Sequence, residues 1–324
     1  MKSNLNHLLL TSFAALSVMC GGIASAADLY PVTVDGHWGY TDKSGKLVVS
    51  GQYDRAQAFS ENLAAVRLDR WGYIDESGKI SINPQFDDAA AFSGGLAAVA
   101  LGKRYGYINT SGKYVINPQF DDAGAFASGR APVKLDRKWG YIDGSGKMVV
   151  NYQFDEAKPF SEGLAVARLN KVYGFVDPDG KFTINPQFDD AQSFSTGLAA
   201  VKLGHVWGFV DKSGKIVINP QFDDVGPFAN GLAPARLAKR WGYIDTTGHF
   251  VVNPQFDDAG PFSEGLARVA FDKRWGYVDH TGVLSINPQF DDAQDFHGGL
   301  AMVKMGRATG YIDASGKYVW NPMK

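Results

Sequence analysis

The chain has 324 residues and a nearly balanced charge, with 32 lysines and arginines against 34 aspartates and glutamates, which gives a formal net charge of −2. This balance excludes wholesale attraction to nucleic acid or to an anionic membrane surface. A single cysteine excludes a disulfide scaffold. No glycine loop that cradles phosphate precedes a helical pattern, so no cofactor is expected.

Residues 1–26 have the pattern of a secretory signal peptide. Lys2 supplies the positive start, Leu8 to Val18 a short apolar core, and Ala24-Ser25-Ala26 a small-residue cleavage site. The apolar run is too short to span a membrane. We therefore expect cleavage after Ala26 and an exported protein, periplasmic or extracellular, whose mature chain lacks cysteine. Lipid attachment at Cys20 is disfavoured, because Met19 is bulkier than lipoprotein processing usually accepts.

Residues 27–324 repeat one unit with a period of 33 or 34 residues, and an aromatic residue followed by glycine marks each copy. Periods between about 20 and 50 residues are typical of arrays of one small structural unit. We therefore predict a single domain, residues 27–324, of about nine units with the last one truncated. The anchors of the units are Trp38, Trp71, Tyr105, Trp139, Tyr173, Trp207, Trp241, Trp275 and, in the last unit, Thr309.

The unit from Leu198 to Gly231 shows the predicted strands. Leu198 to Leu203 and Trp207 to Asp211 are rich in apolar and β-branched residues, and a hairpin turn ending at Gly214 follows. Lys215 to Asn219 is predicted to be a third strand that Pro220 ends, because proline lacks a ladder donor. Gln221 to Asp224 is predicted as a short fourth strand. No stretch has a helical period, so the predicted fold class is all-β.

The strands carry apolar groups on both faces. Trp207 and Phe209 point to one side of the middle strand and Val210 to the other. A sheet with one solvated face alternates apolar and polar residues, so we expect each small sheet to be covered on both faces by its sequence neighbours, as in a propeller-like or rolled cylindrical array. The glycine after each anchor is expected to leave a gap for a ring of the neighbouring unit.

Both ends of the array are irregular, as terminal repeats tend to be. Residues 50–54 depart from the Asn-Pro-Gln-Phe-Asp of other units, and the chain stops at Asn321-Pro322-Met323-Lys324. A leading strand of the first unit would close a ring; otherwise the array remains an open superhelix. The sequence leaves this choice open, along with the oligomeric state.

The string WGYID-x-SGK-x-x-INPQFDDA-x-x-F-x-x-GLA resembles the WG-repeat (KWG-like) family of bacterial proteins. It recurs from Trp38 to the C-terminus, as in Trp71 to Asp75, Trp139 to Asp143 and Trp241 to Asp245. The resemblance implies a rolled or propeller-like β-array used for binding, often in exported proteins. It implies no catalytic residues, and none is carried over.

Four residue sets are candidates for contact with a ligand or for the core. Paired carboxylates recur, as in Asp189-Asp190, but adjacent strand residues point to opposite faces, which favours turn capping over calcium; no metal site is predicted, and calcium dependence stays open. The anchors are expected to be structural. Exposed aromatic contacts are expected at a repeat position of varied apolar residues: Tyr114, Phe182, Phe250 and Tyr318. Basic residues at the end of each first strand form a possible rim: Arg67, Lys134, Arg168, Lys202, Arg236 and Lys304.

Together these features predict a non-catalytic, exported binding protein that presents a repeat surface. The expected ligands are cell-wall or extracellular glycans, or partner proteins, because repeated weak contacts suit polymeric ligands. A hydrolase with a site in a central channel is one alternative, and it would require a unique His/Asp/Glu cluster in one unit. The divergent unit from Arg130 to Gly163 has none. A structural component of the envelope is the other alternative.

Overall fold

The computed structural model describes residues 28–323, and the predicted signal peptide with Cys20 lies outside them. The described residues form 35 β-strands and no helix, so none of them belongs to a helix long and apolar enough to cross a membrane. The all-β prediction is confirmed.

The strands repeat in four kinds, numbered along the chain. The first kind is short: β4 (Arg55–Ala56), β8 (Asp88–Ala89), β12 (Asp122–Ala123), β16 (Glu156–Ala157), β20 (Asp190–Ala191), β24 (Asp224–Val225), β28 (Asp258–Ser263) and β32 (Asp292–Ala293). The second kind comprises β1 (Leu29–Val34), β5 (Leu63–Arg67), β9 (Leu96–Leu101), β13 (Arg130–Leu135), β17 (Ala165–Leu169), β21 (Leu198–Leu203), β25 (Ala233–Leu237), β29 (Leu266–Phe271) and β33 (Leu300–Met305).

The third kind carries the anchors: β2 (His37–Asp42), β6 (Trp71–Asp75), β10 (Arg104–Asn109), β14 (Lys138–Asp143), β18 (Val172–Val176), β22 (Val206–Asp211), β26 (Arg240–Ile244), β30 (Arg274–Val278) and β34 (Ala308–Asp313). The fourth kind comprises β3 (Leu47–Tyr53), β7 (Ile80–Phe86), β11 (Tyr114–Phe120), β15 (Met148–Phe154), β19 (Phe182–Phe188), β23 (Ile216–Phe222), β27 (Phe250–Phe256), β31 (Leu284–Phe290) and β35 (Tyr318–Met323).

These strands make nine separate antiparallel sheets, which are the blades of a β-propeller. Blade 1 is β1–β2–β3, and each later blade adds a short first strand, from blade 2 (β4 to β7) to blade 9 (β32 to β35). The short strand follows the fourth strand of the preceding blade in the chain. The prediction placed it in the same unit as the strands before it; the ladder between Ala191 and Val201 shows instead that it begins the next blade.

Each blade buries both faces against its neighbours, as predicted. Trp207 and Phe209 of blade 6 pack with Val225 and Phe228, which lead into blade 7. Val210, on the opposite face, joins the cluster of blade 5. Because a single sheet has no core of its own, the neighbouring blades supply most of the apolar contacts.

Two local predictions about the fourth strand are wrong. Gln221 to Asp224 is not a strand of its own, because Gln221 and Phe222 belong to β23 and Asp224 begins β24. Pro220 does not end a strand but lies inside β23, where a bulge displaces the register: Trp207 pairs with Phe222 and Phe209 with Ile218. A bulge leaves residues out of the ladder, so the absent proline N–H costs no ladder bond there.

The glycine after the anchor has a different role from the one predicted. A Cβ on Gly208 would lie 2.4 Å from the carbonyl oxygen of Ile218 and 2.6 Å from the nitrogen of Pro220. The bulged fourth strand of the same blade therefore occupies the space, rather than a ring of the neighbouring blade. Glycine permits this close backbone approach.

The array closes into a ring, which settles the choice that the sequence left open. The Tyr30 hydroxyl of blade 1 donates to the Gly298 carbonyl at 2.6 Å, and the Tyr311 hydroxyl of blade 9 donates to the Pro31 carbonyl at 3.0 Å. The two tyrosine rings meet edge to face at 5.4 Å. We call this junction between blades 9 and 1 the seam.

Candidate binding surfaces

The aromatic anchors belong mainly to the interior. Trp71, Tyr173 and Trp207 are buried, with 7–9% of their surface exposed. Trp38 and Trp241 are half-buried and pack against the neighbouring clusters. The rings therefore contribute to the contacts between blades, and only their edges are open to a ligand.

The basic residues at the end of the second strands lie over the anchors. Lys202 stands 5.7 Å from the centre of the Trp207 ring and Lys134 5.8 Å from that of Trp139. Arg236 likewise covers Trp241. Such cation–π contacts hold each cation against its own blade, so these groups are less available to an external polyanion than a free basic rim would be.

Acidic residues of the short strands also face these cations. Asp190 pairs with Lys202 across the ladder, and Asp292 pairs with Lys304. Opposite charges directly across a strand pair stabilise the pairing. Blades 2, 3 and 8 are exceptions, since Arg55 faces Arg67 in blade 2 and alanine faces the aspartate in the other two.

In blade 5, Tyr173 donates a hydrogen bond to Glu156 at 2.8 Å. Burial, reinforced by this carboxylate, raises the pKa of Tyr173 to about 12. The anchor hydroxyl therefore stays protonated at neutral pH and acts as a hydrogen-bond donor.

A second basic row, directly before the anchors, pairs with the first aspartate of five of the carboxylate pairs. Arg104 contacts Asp121 at 2.6 Å and Lys138 contacts Asp155 at 2.6 Å. The hydrogen bond from Lys138 is the main reason why the pKa of Asp155 lies below its ordinary value. The repeated carboxylates therefore serve turns and ion pairs. Among residues 28–323, no three His, Cys, Asp or Glu side chains gather as a metal site would require.

The four predicted contact aromatics lie at the edges of the blade interfaces. Tyr114 is 36% exposed, and its ring meets buried Phe86 of the preceding blade edge to face at 6.3 Å. Phe182 meets Phe154 in the same way at 5.7 Å. Phe250 and Tyr318 repeat the arrangement. Each ring therefore offers one edge to solvent while the other side packs in the protein.

The outward face of the fourth strands is a feature that the sequence reading missed. In β23, Val217, Asn219 and Gln221 are exposed, whereas Ile218 and Phe222 are buried and Pro220 is half-buried. The same exposed asparagine recurs in eight blades, with Ser50 in blade 1: Asn83, Asn117, Asn151, Asn185, Asn219, Asn253, Asn287 and Asn321. We call this repeated set of Val, Ser or Thr, then Asn, then Gln, the amide face. The sequence signal for this face was the alternation of Asn and Gln with apolar residues in the repeated Ile-Asn-Pro-Gln-Phe pattern.

One ion pair distinguishes blades 8 and 9. Arg268 stands where other blades have alanine, proline, valine or methionine, and its Nε lies 2.8 Å from Asp295 Oδ1. Burial raises the pKa of Asp295 even though the arginine opposes this shift. Arg268 also covers the ring of Trp275 at 5.2 Å. The pair joins neighbouring blades.

Comparison with known proteins assigns the repeat. A model described as WG containing repeat matches residues 38–70, 71–105, 105–139, 139–173, 173–204, 207–240, 241–275 and 275–307. The chain belongs to this family. No curated protein sequence matches the WG-repeat chain.

Solved structures show the same architecture at low identity. A eukaryotic initiation factor superposes with a TM-score of 0.65 and 10% identity, covering 92% of this chain and 95% of that one. The dihydro-heme d1 dehydrogenase NirN in complex with DHE gives a TM-score of 0.49 at 13% identity, covering 84% and 75%. At such identity the first likeness supports the propeller fold alone.

Proposed function

We propose that this WG-repeat protein is a non-catalytic, exported binding protein that contacts a neutral glycan of the cell envelope through its amide face. The observation that carries the proposal is the repetition of exposed Asn and Gln side chains, one pair in each of blades 2 to 8, around most of the ring. Carboxamides offer both donors and acceptors, as sugar hydroxyls require. Equivalent contacts on successive blades suit a polymer through effective concentration.

The charged rows favour a neutral ligand over a polyanion. Their cations cover the anchors, as Lys202 covers Trp207, or pair with carboxylates, as Arg104 pairs with Asp121. Exposed pairs of this kind are screened by salt. Binding through carboxamides does not depend on such charges. We therefore expect retention on the glycan to survive added salt.

The test is retention on insoluble cell-wall polysaccharide and on peptidoglycan, at low salt and at about 0.5 M salt. The test variant changes Asn117, Asn219 and Asn253 to serine, the residue that blade 1 carries naturally at Ser50. Loss of three equivalent contacts should weaken retention about tenfold, because avidity multiplies weak contacts. Salt elution of the wild-type protein, or retention by the triple variant equal to wild type, would refute the amide face as the site.

A partner protein is the second candidate, favoured by apolar side chains beside the amide face. Val251 is 50% exposed, and Val115 and Val217, at the same repeat position, are each 42% exposed. Exposed apolar groups that recur around a surface are typical of protein-binding sites. The matched variant changes Val217 and Val251 to serine, which blades 2 and 8 carry at this position. Loss of a co-purifying protein from this variant, with glycan retention unchanged, would assign the face to a protein.

A further inference from the structure

Blade 1 differs from the other eight at the edge of β1. Within residues 28–323 its sheet has three strands, whereas each other blade pairs its second strand with a first strand. A cavity of about 460 Å³ lies at this place, between the loops of blades 9 and 2. Its size is within the range of about 300–1,000 Å³ that is typical of ligand sites. The residues that define it are Gln294, Asp295, Tyr30, Trp38, Ala56 and Phe59.

We propose that this seam cavity binds an extended peptide segment of a partner protein, which adds to the edge of β1 as the fourth strand of blade 1. Strand addition of this kind takes its affinity from main-chain hydrogen bonds and its specificity from the side-chain pockets. The proposal is independent of glycan binding by the amide face.

The other blades show which backbone groups such a segment would meet. In blade 3, the Ala90 N–H donates to the Ala98 carbonyl at 2.9 Å, and Pro31 is the counterpart of Ala98 in β1. A proline at this place does not prevent pairing: in blade 4, Gly124 N–H donates to the Pro132 carbonyl at 2.8 Å. The edge of β1 therefore has a residue type that accepts a first strand elsewhere. The Pro31 carbonyl already accepts the Tyr311 hydroxyl at 3.0 Å, and because a carbonyl oxygen has two lone pairs, a bound segment would donate to the second.

Donors for the segment's backbone carbonyls come from blade 9. In blade 6, the Gln192 carboxamide and the Ser195 hydroxyl donate at 3.0 Å and 2.8 Å to backbone carbonyls of the segment that leads into blade 7. Gln294 and His297 occupy these two positions in blade 9, are exposed, and line the cavity. Within residues 28–323 the Gln294 carboxamide has no hydrogen-bond partner. The cavity thus carries two side chains at positions that elsewhere recognise a peptide backbone.

The side chains that fit are also shown by the other blades. The second residue of the two-residue strands is small and buried in most of them, as with Ala89 and Ala191. In the other blades an aromatic ring follows, such as Phe194, which lies 4.8 Å from Phe175. At the seam the Tyr30 ring lies against Tyr311 and fills the place of this aromatic side chain. Every other blade has alanine at the position of Tyr30 in its second strand. The expected ligand therefore has a small residue in the strand and no aromatic residue three positions later.

The test uses the chain from Ala27 onward, the expected product of cleavage after Ala26, which retains all residues of the described blades. Two fluorescein-labelled peptides serve as probes: residues 189–195, Asp-Asp-Ala-Gln-Ser-Phe-Ser, and the same peptide with serine in place of phenylalanine. Fluorescence anisotropy should show saturable binding of the serine peptide with a Kd below about 1 mM. In the Tyr30→Ala variant, the phenylalanine peptide should bind about tenfold tighter than it binds the wild-type chain, because the aromatic place is then open.

Two further variants separate binding from folding. Gln294→Ala should weaken binding of the serine peptide about threefold or more through loss of one hydrogen bond. Gln192→Ala makes the same change in blade 6, where the chain itself supplies the segment that the glutamine binds, and should leave peptide binding unchanged. Thermal melts establish that each variant is folded. Absence of saturable binding to the wild-type chain, or equal affinity of both Gln variants, overturns the proposal. An unlabelled peptide of residues 21–27 is also tested for displacement of the labelled serine peptide. If it displaces the label more strongly than the unlabelled serine peptide does, the cavity belongs to the chain's own leader and the partner assignment is overturned.

Discussion

Replacing Trp207 by alanine tests whether the blades are held together by their shared apolar faces. The side chain is 7% exposed and packs on the segment that leads into blade 7. Burial of a tryptophan removes about 150–250 Å² from water, which at ~25 cal/mol per Å² is about 4–6 kcal/mol as an upper bound. Core Trp→Ala changes typically cost about 3–5 kcal/mol, so we expect a loss in this range.

Thermal unfolding followed by circular dichroism measures this loss. At about 2–4 °C per kcal/mol for a large domain, the midpoint should fall by roughly 10 °C. The transition should also broaden, because weakening one interface uncouples neighbouring repeats. Val283→Ala is the control, since this side chain is 62% exposed and surface changes usually lie within about 0.5 kcal/mol. A Trp207→Ala midpoint close to that of the control would contradict the role assigned to the anchors.

Three other predictions concern the backbone, the turns and the interfaces. Gly208→Ala should destabilise by about 1–3 kcal/mol in urea unfolding, because its Cβ meets the Ile218 carbonyl at 2.4 Å. Asp211→Asn should lower the melting temperature at neutral pH. The Ser213 hydrogen bond holds the pKa of Asp211 below its ordinary value of 3.8, and the stabilisation by the carboxylate is lost when it is protonated. The difference in melting temperature from wild type should therefore shrink as pH falls through 3.8 and below, and a difference that does not change with pH contradicts this. Ser195→Ala should cost about 1 kcal/mol by removing its bond to the next blade, whereas an unchanged midpoint would show that this bond adds nothing.

The sequence predicted the repeating unit and its packing because these depend on local patterns. The alternation of Trp207, Phe209 and Val210 is enough to show that both faces are apolar, and the clusters of blades 6 and 5 confirm it. The turn before β23 also follows from residue type: Asp211 accepts the Ser213 N–H at 2.9 Å, and Gly214 has φ of +85°. Such features need no knowledge of distant residues.

Blade boundaries and closure depend on pairings that the local pattern does not contain. A two-residue strand such as Asp190–Ala191 has no period of its own, so its partner is fixed only when the next blade forms. Pro220 signals a break when read alone, yet the bulge that admits it requires β22 and Gly208 opposite. Closure brings together residues more than 260 positions apart, as with Tyr30 and Gly298. One signal was present: tyrosine at position 30, where every other unit has alanine.

The seam is built differently from the other junctions, and this has a consequence for the whole ring. At the blade 6–7 junction the chain is continuous and Ser195 bonds to the next blade. The seam is held by Tyr30, Tyr311 and the small cluster around Trp320. In an array whose stability is a sum of neighbour interfaces, the junction with the smallest buried cluster, here the seam, is expected to open first. A peptide bound at β1 adds contacts to that junction, so it should raise the temperature at which the ring begins to unfold, by the linkage that stabilises any ligand-bound native state.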